Sequence, residues 1–347
     1  MLLLLSSLFS LYGCGTNQQD FTLEYGKPTP EECTLPEPTS YDYNDPSYYF
    51  GAKLFLMTEE TQTLTNAAHL KALGMNTTVL TFFIPYDDDG TLRYPYTVFG
   101  KRFYSLEDQI CQMSHLIDEM KREGITVFLV GELHYYAEEV DHTIDTPNSL
   151  SELSDPEAIE NFMEEAPIAM QAMRELADTY KIEVLSPLSE ADRYINPAQG
   201  DRFMQETLPI FADYEGKLLW QVYGEGFREL DVDPHRFDFR GYDLVGLALL
   251  GCDQPIDAWN SYIEDINAWA TEDAVPQTMI SEIGCVSIPE NLPQAADNLR
   301  FWYEDSKTYS AGTLVLESPQ RNVDSQPISN SWVEDWVREM AVDLGFL

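Results

Sequence analysis

Positive charge is scarce in this chain. Against 60 Asp and Glu stand only 20 Lys and Arg and five His, so the formal net charge at neutral pH is −40. A surface of that sign repels phosphate backbones and anionic headgroups, which excludes nucleic acid and acidic lipid surfaces as partners. Cysteine is scarce too. Cys14, Cys33, Cys111, Cys252 and Cys285 form no CxxC pair and share no zinc-finger spacing with His, so no dithiol redox motif or structural zinc module is present. Phosphate-binding loops are missing. The first apolar strand runs into Thr58-Glu59-Glu60-Thr61, with no GxGxxG and no GxxxxGK[ST], which argues against a doubly wound nucleotide fold. The five His, at 69, 115, 134, 142 and 235, are scattered, and none lies on the first strand. That disfavours a metal-dependent barrel hydrolase, and neither a metal nor an organic cofactor is expected.

What is present bounds the architecture. The chain has 347 residues, 44% apolar and 12% aromatic, enough for one barrel-sized domain with a large core plus a leader. The acid is spread along the whole length and reads as a solvation device rather than a binding tail.

Residues 2–12, LLLLSSLFSLY, form an apolar run too short to cross a bilayer but long enough for a signal-peptide core, although no basic residue precedes it. Leu11-Tyr12-Gly13-Cys14 resembles a bacterial lipobox. The resemblance implies that residues 1–13 are a signal peptide and that Cys14 carries lipid. The mature protein would then be extracytoplasmic, held at a cell or outer membrane through that anchor alone. Residues 14–47, rich in Pro, Thr, Glu and Asn, read as a flexible tether, and 48–347 as the folded domain. Export permits disulfides. The four remaining Cys allow three connectivities, which stay open, but Cys252 and Cys285 follow neighbouring strands and are expected to lie close in space.

From residue 50 short apolar runs alternate with amphipathic stretches. Strands are predicted at 51–57, 76–83, 125–130, 182–188, 217–222, 243–249, 277–282 and 312–316. Helices are predicted at 61–73, 105–123, 156–180, 198–214, 256–271, 290–307 and 330–343, and none is clear over 223–241. Gly74 and Gly124 sit where helix C-caps are needed. Eight apolar strands separated by helices predict parallel strands buried on both faces and an α/β fold of the closed (βα)8 TIM-barrel type, behind the signal and tether.

Active sites of such barrels lie at the C-terminal strand ends. Polar residues gather there: Glu132, His134 and Tyr135 after the third strand, Ser189 and Glu190 after the fourth, Gln221 and Tyr223 after the fifth, Glu282 after the seventh. Two carboxylates stand out, Glu190 in Ser186-Pro187-Leu188-Ser189-Glu190 and Glu282 in Ile280-Ser281-Glu282-Ile283-Gly284. This order resembles the clan A glycoside hydrolases, in which a Glu after the fourth strand is the acid/base and a Glu on the seventh is the nucleophile. Leu73-Gly74-Met75-Asn76, Gly124-Ile125-Thr126-Val127-Phe128 and Tyr242-Asp243-Leu244-Val245-Gly246 resemble the family's leads into strands two, three and six. In that family an Asn precedes the acid/base Glu and binds the sugar 2-hydroxyl, and the eighth strand often ends in Trp. Here Ser189 and Leu316-Glu317-Ser318 occupy those places.

The resemblance implies a monomeric retaining glycoside hydrolase acting on a poly- or oligosaccharide, with Glu190 as acid/base and Glu282 as nucleophile. His134, Tyr135, Ser189, Tyr223 and Trp259 are the expected sugar contacts: His134 to a hydroxyl, the aromatic faces stacked on the apolar C–H surface of a ring. The competing reading keeps the barrel and the sugar but not the chemistry. In it the protein is a catalytically inactive glycan-binding lipoprotein. Separately, Glu190, Glu282, His134, Tyr135, Tyr223 and Trp259 each have a plain reading as packing or hydrogen-bonded structural groups.

Overall fold

The computed structural model describes residues 33–37, 40–54, 67–98, 101–135, 155–223, 235–249, 257–284, 297–301, 303–304, 310–317 and 332–347. In chain order its elements are β1 (Tyr49–Leu54), α1 (Ala67–Ala72), β2 (Thr77–Tyr86), β3 (Tyr96–Val98), β4 (Lys101–Phe103), α2 (Leu106–Arg122), β5 (Thr126–Tyr135), α3 (Pro156–Tyr180), β6 (Val184–Ser186), α4 (Ala191–Tyr194), α5 (Pro197–Thr207), β7 (Lys217–Tyr223), β8 (Leu244–Leu249), α6 (Asp257–Glu272), β9 (Gln277–Ile283), β10 (Ser310–Glu317) and α7 (Trp332–Asp343). Eight strands pair in parallel in the order β1-β10-β9-β8-β7-β6-β5-β2 and close on themselves, while β3 and β4 form a separate antiparallel hairpin. The (βα)8 barrel predicted from the apolar pattern is present, and all eight predicted strands are there within a few residues. The hairpin was not foreseen. Among the described residues no helix is long and apolar enough to cross a membrane.

Local signals set the helix ends. Ser105 caps α2 by accepting the Asp108 N–H, with Glu107 and Asp108 in the first turn and Lys121 and Arg122 in the last, each sign at the end its charge favours. Asp155 caps α3, followed by Pro156 at its first position. Gly124 closes α2 at φ 72°, and the Ile125 N–H returns to the Met120 carbonyl, a turn that a side chain would strain.

Strand residues alternate between two apolar layers. Tyr49, Val79, Phe128, Val184, Leu219, Met279 and Leu314 fill the barrel interior. Their neighbours Phe50, Leu80, Leu129, Leu185, Trp220, Ile280 and Val315 pack outward beneath the helices. Burial on both faces is what a parallel barrel demands of its strands, and it is why each reads as an unbroken apolar run.

Part of the stretch read as tether is held to the folded domain: 33–37 lies against α2, and 40–47 packs on the N-terminal end of the barrel. Cys33 is disulfide-bonded to Cys111 of α2, and Tyr41 donates to Asp118. The backbone N–H of Asn44 donates to Glu183 at 2.9 Å. Cys14, Cys252 and Cys285 lie outside the described residues. The disulfide spans 78 residues, and a loop of that size restricts the unfolded chain strongly. Replacing Cys33 by Ser together with Cys111 by Ala is expected to lower unfolding free energy by about 2–4 kcal/mol. Denaturant unfolding checks this; a loss below about 1 kcal/mol would mean that the segment is held without the bond.

Candidate active site

The C-terminal strand ends all open at one mouth, so the site is built from residues distant in sequence. On β9 the pairing slips: Ile280 aligns with Leu247 but Glu282 with Ala248, and on the other side Thr313 aligns with Ile280 but Val315 with Ile283. Ser281 is therefore an extra residue, a bulge that breaks strict alternation. Met279 faces the interior, and after the bulge Glu282 does so as well, 1% exposed. Gly246 on β8 makes room, since a Cβ there would lie 2.5 Å from that of Ser281.

Glu190 is positioned by equally specific backbone. Beyond the short β6, the Ser189 N–H donates to the Gly131 carbonyl (2.6 Å) and the Glu190 N–H to the Gln221 carbonyl (3.0 Å). A Cβ on Gly131 would strike the Pro187 carbonyl oxygen at 2.2 Å. Glu190 itself has φ 51° and ψ 43°, left-handed for a residue with a side chain. Such a conformation costs roughly 1–3 kcal/mol, is held by its surroundings and clusters at functional sites. Gln221 joins the two acids: its carbonyl accepts from Glu190, and its side-chain amide donates to Glu282 Oε2 at 3.4 Å.

A buried lysine completes the centre. Lys53 Nζ on β1 lies 2.5 Å from Glu282 Oε2 and 3.5 Å from Glu132 Oε2, with all three side chains 4% exposed or less. Burial opposes its charge. The fields of Glu132, Glu282 and Glu190, with the hydrogen bond to Glu282, outweigh that opposition and hold its pKa above the ordinary lysine range. It remains an ammonium at any physiological pH.

The remaining sequence candidates take distinct places. His134, half-buried at the end of β5, packs edge-on against Phe83 (5.8 Å between centroids) and tilted on Tyr96 (5.6 Å). Tyr96 stacks in turn on Phe103 across the β3–β4 hairpin, so the hairpin buttresses the imidazole. Ser189 is buried, bridged to Gln221. Tyr223 is half-buried at the end of β7, its N–H donating to the Asp192 carboxylate at 3.1 Å. Tyr135 ends β5 in register with Tyr86, and Trp259 lies in the first turn of α6. Lys53 was missed as a site residue, although a lysine inside the apolar run Gly51-Ala52-Lys53-Leu54-Phe55 was its signal. Glu132 and Gln221 stand at predicted strand ends, but nothing local in the sequence assigns either a role. Among the described residues, the one cluster with metal-like spacing is Cys33, Cys111 and His115, and the disulfide already joins its two cysteines.

No protein-family model matches the sequence, and no curated protein matches it. Solved structures do match, and what they share is the closed (βα)8 barrel. A GH113 β-mannanase from Alicyclobacillus acidocaldarius, in complex with ManMIm, superposes with a TM-score of 0.57 at 16% identity, covering 86% of this chain and 97% of that one. The endo-β-1,4-mannanase from Thermotoga petrophila gives 0.57 at 11%, covering 86% and 77%. Endo-glycoceramidase II from Rhodococcus sp. gives 0.53 at 12%, covering 87% and 81%. At these identities the likeness is one of architecture.

Proposed function

We propose that the protein is a retaining glycoside hydrolase acting on a poly- or oligosaccharide, with Glu282 as nucleophile and Glu190 as acid/base. The observation that carries this reading is the pair of buried glutamates, raised from strands far apart in sequence and joined through Gln221 at the barrel mouth. Cleaving a glycosidic bond needs one carboxylic acid to protonate the departing oxygen and one carboxylate to attack the anomeric carbon. In the first step a Glu282 oxygen bonds to that carbon while Glu190 gives its proton to the leaving oxygen. In the second, water attacks the glycosyl ester as Glu190 takes a proton from it, and Glu282 departs as carboxylate. The barrel neighbours named above as mannanases direct the first choice of substrate toward β-mannans.

Export and lipidation at Cys14 belong to the same proposal. The Cys33–Cys111 bond supports the export half of it, because disulfides persist in oxidising compartments.

Hydrolysis assays on aryl glycosides and on β-mannan and β-glucan oligomers test the activity. Glu190→Ala is expected to slow unactivated substrates by roughly 10²–10⁴-fold, the usual contribution of a positioned proton donor. Activated aryl glycosides, whose leaving group needs no proton, should lose far less in the first step, and azide should restore part of the rate by attacking the intermediate. An equal loss on every leaving group would remove Glu190 from this role. The inactive glycan-binding reading rests on two departures from the family it resembles, Ser189 in place of Asn and Leu316-Glu317-Ser318 where the eighth strand often ends in Trp. Binding of oligosaccharide with no turnover on any substrate would select it.

A further inference from the structure

The two-carboxylate mechanism accounts for Glu190 and Glu282 but uses neither Lys53 nor Glu132, though both are buried in the same mouth. Three carboxylates gathered around one ammonium cannot all ionise without cost, because like charges in a buried site raise one another's pKa. The ammonium's place then decides which acid keeps its charge. Its contact with Glu282, 2.5 Å, is shorter than that with Glu132, 3.5 Å.

We propose that Lys53 is a positioning residue for this reaction: it holds Glu282 as the anion and orients it, so that the mouth's proton resides on Glu190. This inference rests on the glycosidase reading and deepens it. Lys53 and Gln221 both address Oε2 of Glu282. In the proposed displacement Oε2 is the anchored oxygen and Oε1 the attacking one. Once the glycosyl ester forms, Oε2 becomes its carbonyl oxygen. When water breaks the ester, negative charge returns to an oxygen already facing an ammonium, which favours departure of the carboxylate.

Glu132 plays the balancing part. With Lys53 between them, Glu132 and Glu282 both draw on the ammonium and keep it protonated within the barrel. The charged groups that act on it come from β5 (Glu132), β9 (Glu282) and the turn after β6 (Glu190). The flanking strands contribute none over residues 77–85 of β2 and 310–316 of β10. An arginine at position 53 would preserve the charge, whereas methionine would keep the stem and remove it.

The test reads Glu282 directly. Protein labelled with ¹³C at glutamate carboxyls is titrated by NMR, with Glu282→Gln assigning the resonance, and compared with Lys53→Met and Lys53→Arg. The midpoint of Glu282 should rise by about one to three pH units in K53M, the shift a close opposite charge imposes, and stay within about half a unit in K53R. The acid limb of kcat/KM should move with it, kcat falling more than KM changes. Should K53M fail to fold, K53M/E132Q, which removes one charge of each sign, is compared with E132Q alone. An unmoved Glu282 midpoint in these comparisons overturns the proposal. If the midpoint moves but no glycoside is cleaved and no 2-fluoroglycoside labels Glu282, the ion-pair assignment stands and the glycosidase reading falls.

Discussion

Replacing Glu282 by Gln is expected to lower turnover by on the order of 10⁴-fold or more, the scale on which loss of a covalent nucleophile acts, while leaving the fold intact. The substitution keeps the volume of a side chain that is 1% exposed. The Gln carbonyl oxygen can still accept from Lys53. What disappears is the charge and the nucleophilic oxygen, and no neighbour replaces them. Glu132 is paired with the same ammonium at 3.5 Å, and Glu190 is fixed by its left-handed backbone and its bond to Gln221. The loss should therefore be the same for activated and unactivated leaving groups, in contrast to Glu190→Ala, and azide should not repair it. Circular dichroism and oligosaccharide binding should match the parent protein. Retention of activity within about ten-fold would exclude covalent catalysis by Glu282, because no intermediate can form on an amide at a useful rate.

The barrel was legible in the sequence for a physical reason. Strands buried on both faces must be apolar throughout, so Leu218-Leu219-Trp220 or Leu244-Val245-Gly246-Leu247 announces itself without knowledge of its neighbours. Helix C-termini were legible because Gly74 and Gly124, both left-handed, act within four residues of where they stand. Glu190 and Glu282 could be singled out because strand ends define the mouth. Their surroundings could not be. Lys53 and Glu282 are 229 residues apart, and only closure of the barrel brings them to 2.5 Å. The bulge at Ser281 leaves no mark in composition, yet without it period-two alternation would turn Glu282 away from Met279's face. The β3–β4 hairpin has strands of three residues, too short for alternation to register, so the support it gives His134 was invisible. The Cys33–Cys111 pairing was one of several open choices, since nothing local indicates that Cys33 returns to α2.

That base yields the second large effect. Lys121, at the end of α2, and Glu183, just before β6, form an ion pair with side chains 4% and 2% exposed. The ammonium also donates to the carbonyls of Lys181 (2.9 Å) and Asp42 (3.2 Å). The carboxylate accepts the N–H groups of Asn44 and Val127, each at 2.9 Å. One pair thus ties the N-terminal segment, α2, β5 and the start of β6 together. Lys121→Met leaves the Glu183 carboxylate buried without its cation, and such a loss costs about 3–5 kcal/mol at neutral pH. The pH dependence has a defined sign. Burial raises the Glu183 pKa above its ordinary value even with Lys121 beside it, so the folded state binds the proton more tightly than the unfolded one. The ionised form therefore opposes folding, and stability falls as pH rises from the unfolded pKa through the folded one. Without Lys121 the folded pKa climbs further and the window widens. The deficit of K121M against the parent should accordingly shrink as pH drops from 7 toward 5, and Glu183→Gln in the K121M background should recover part of it at pH 7. Urea unfolding of the four proteins as a double-mutant cycle checks the pair. A K121M cost below about 1 kcal/mol, or a deficit that grows on acidification, would show that the backbone carbonyls and not the carboxylate hold this lysine in place.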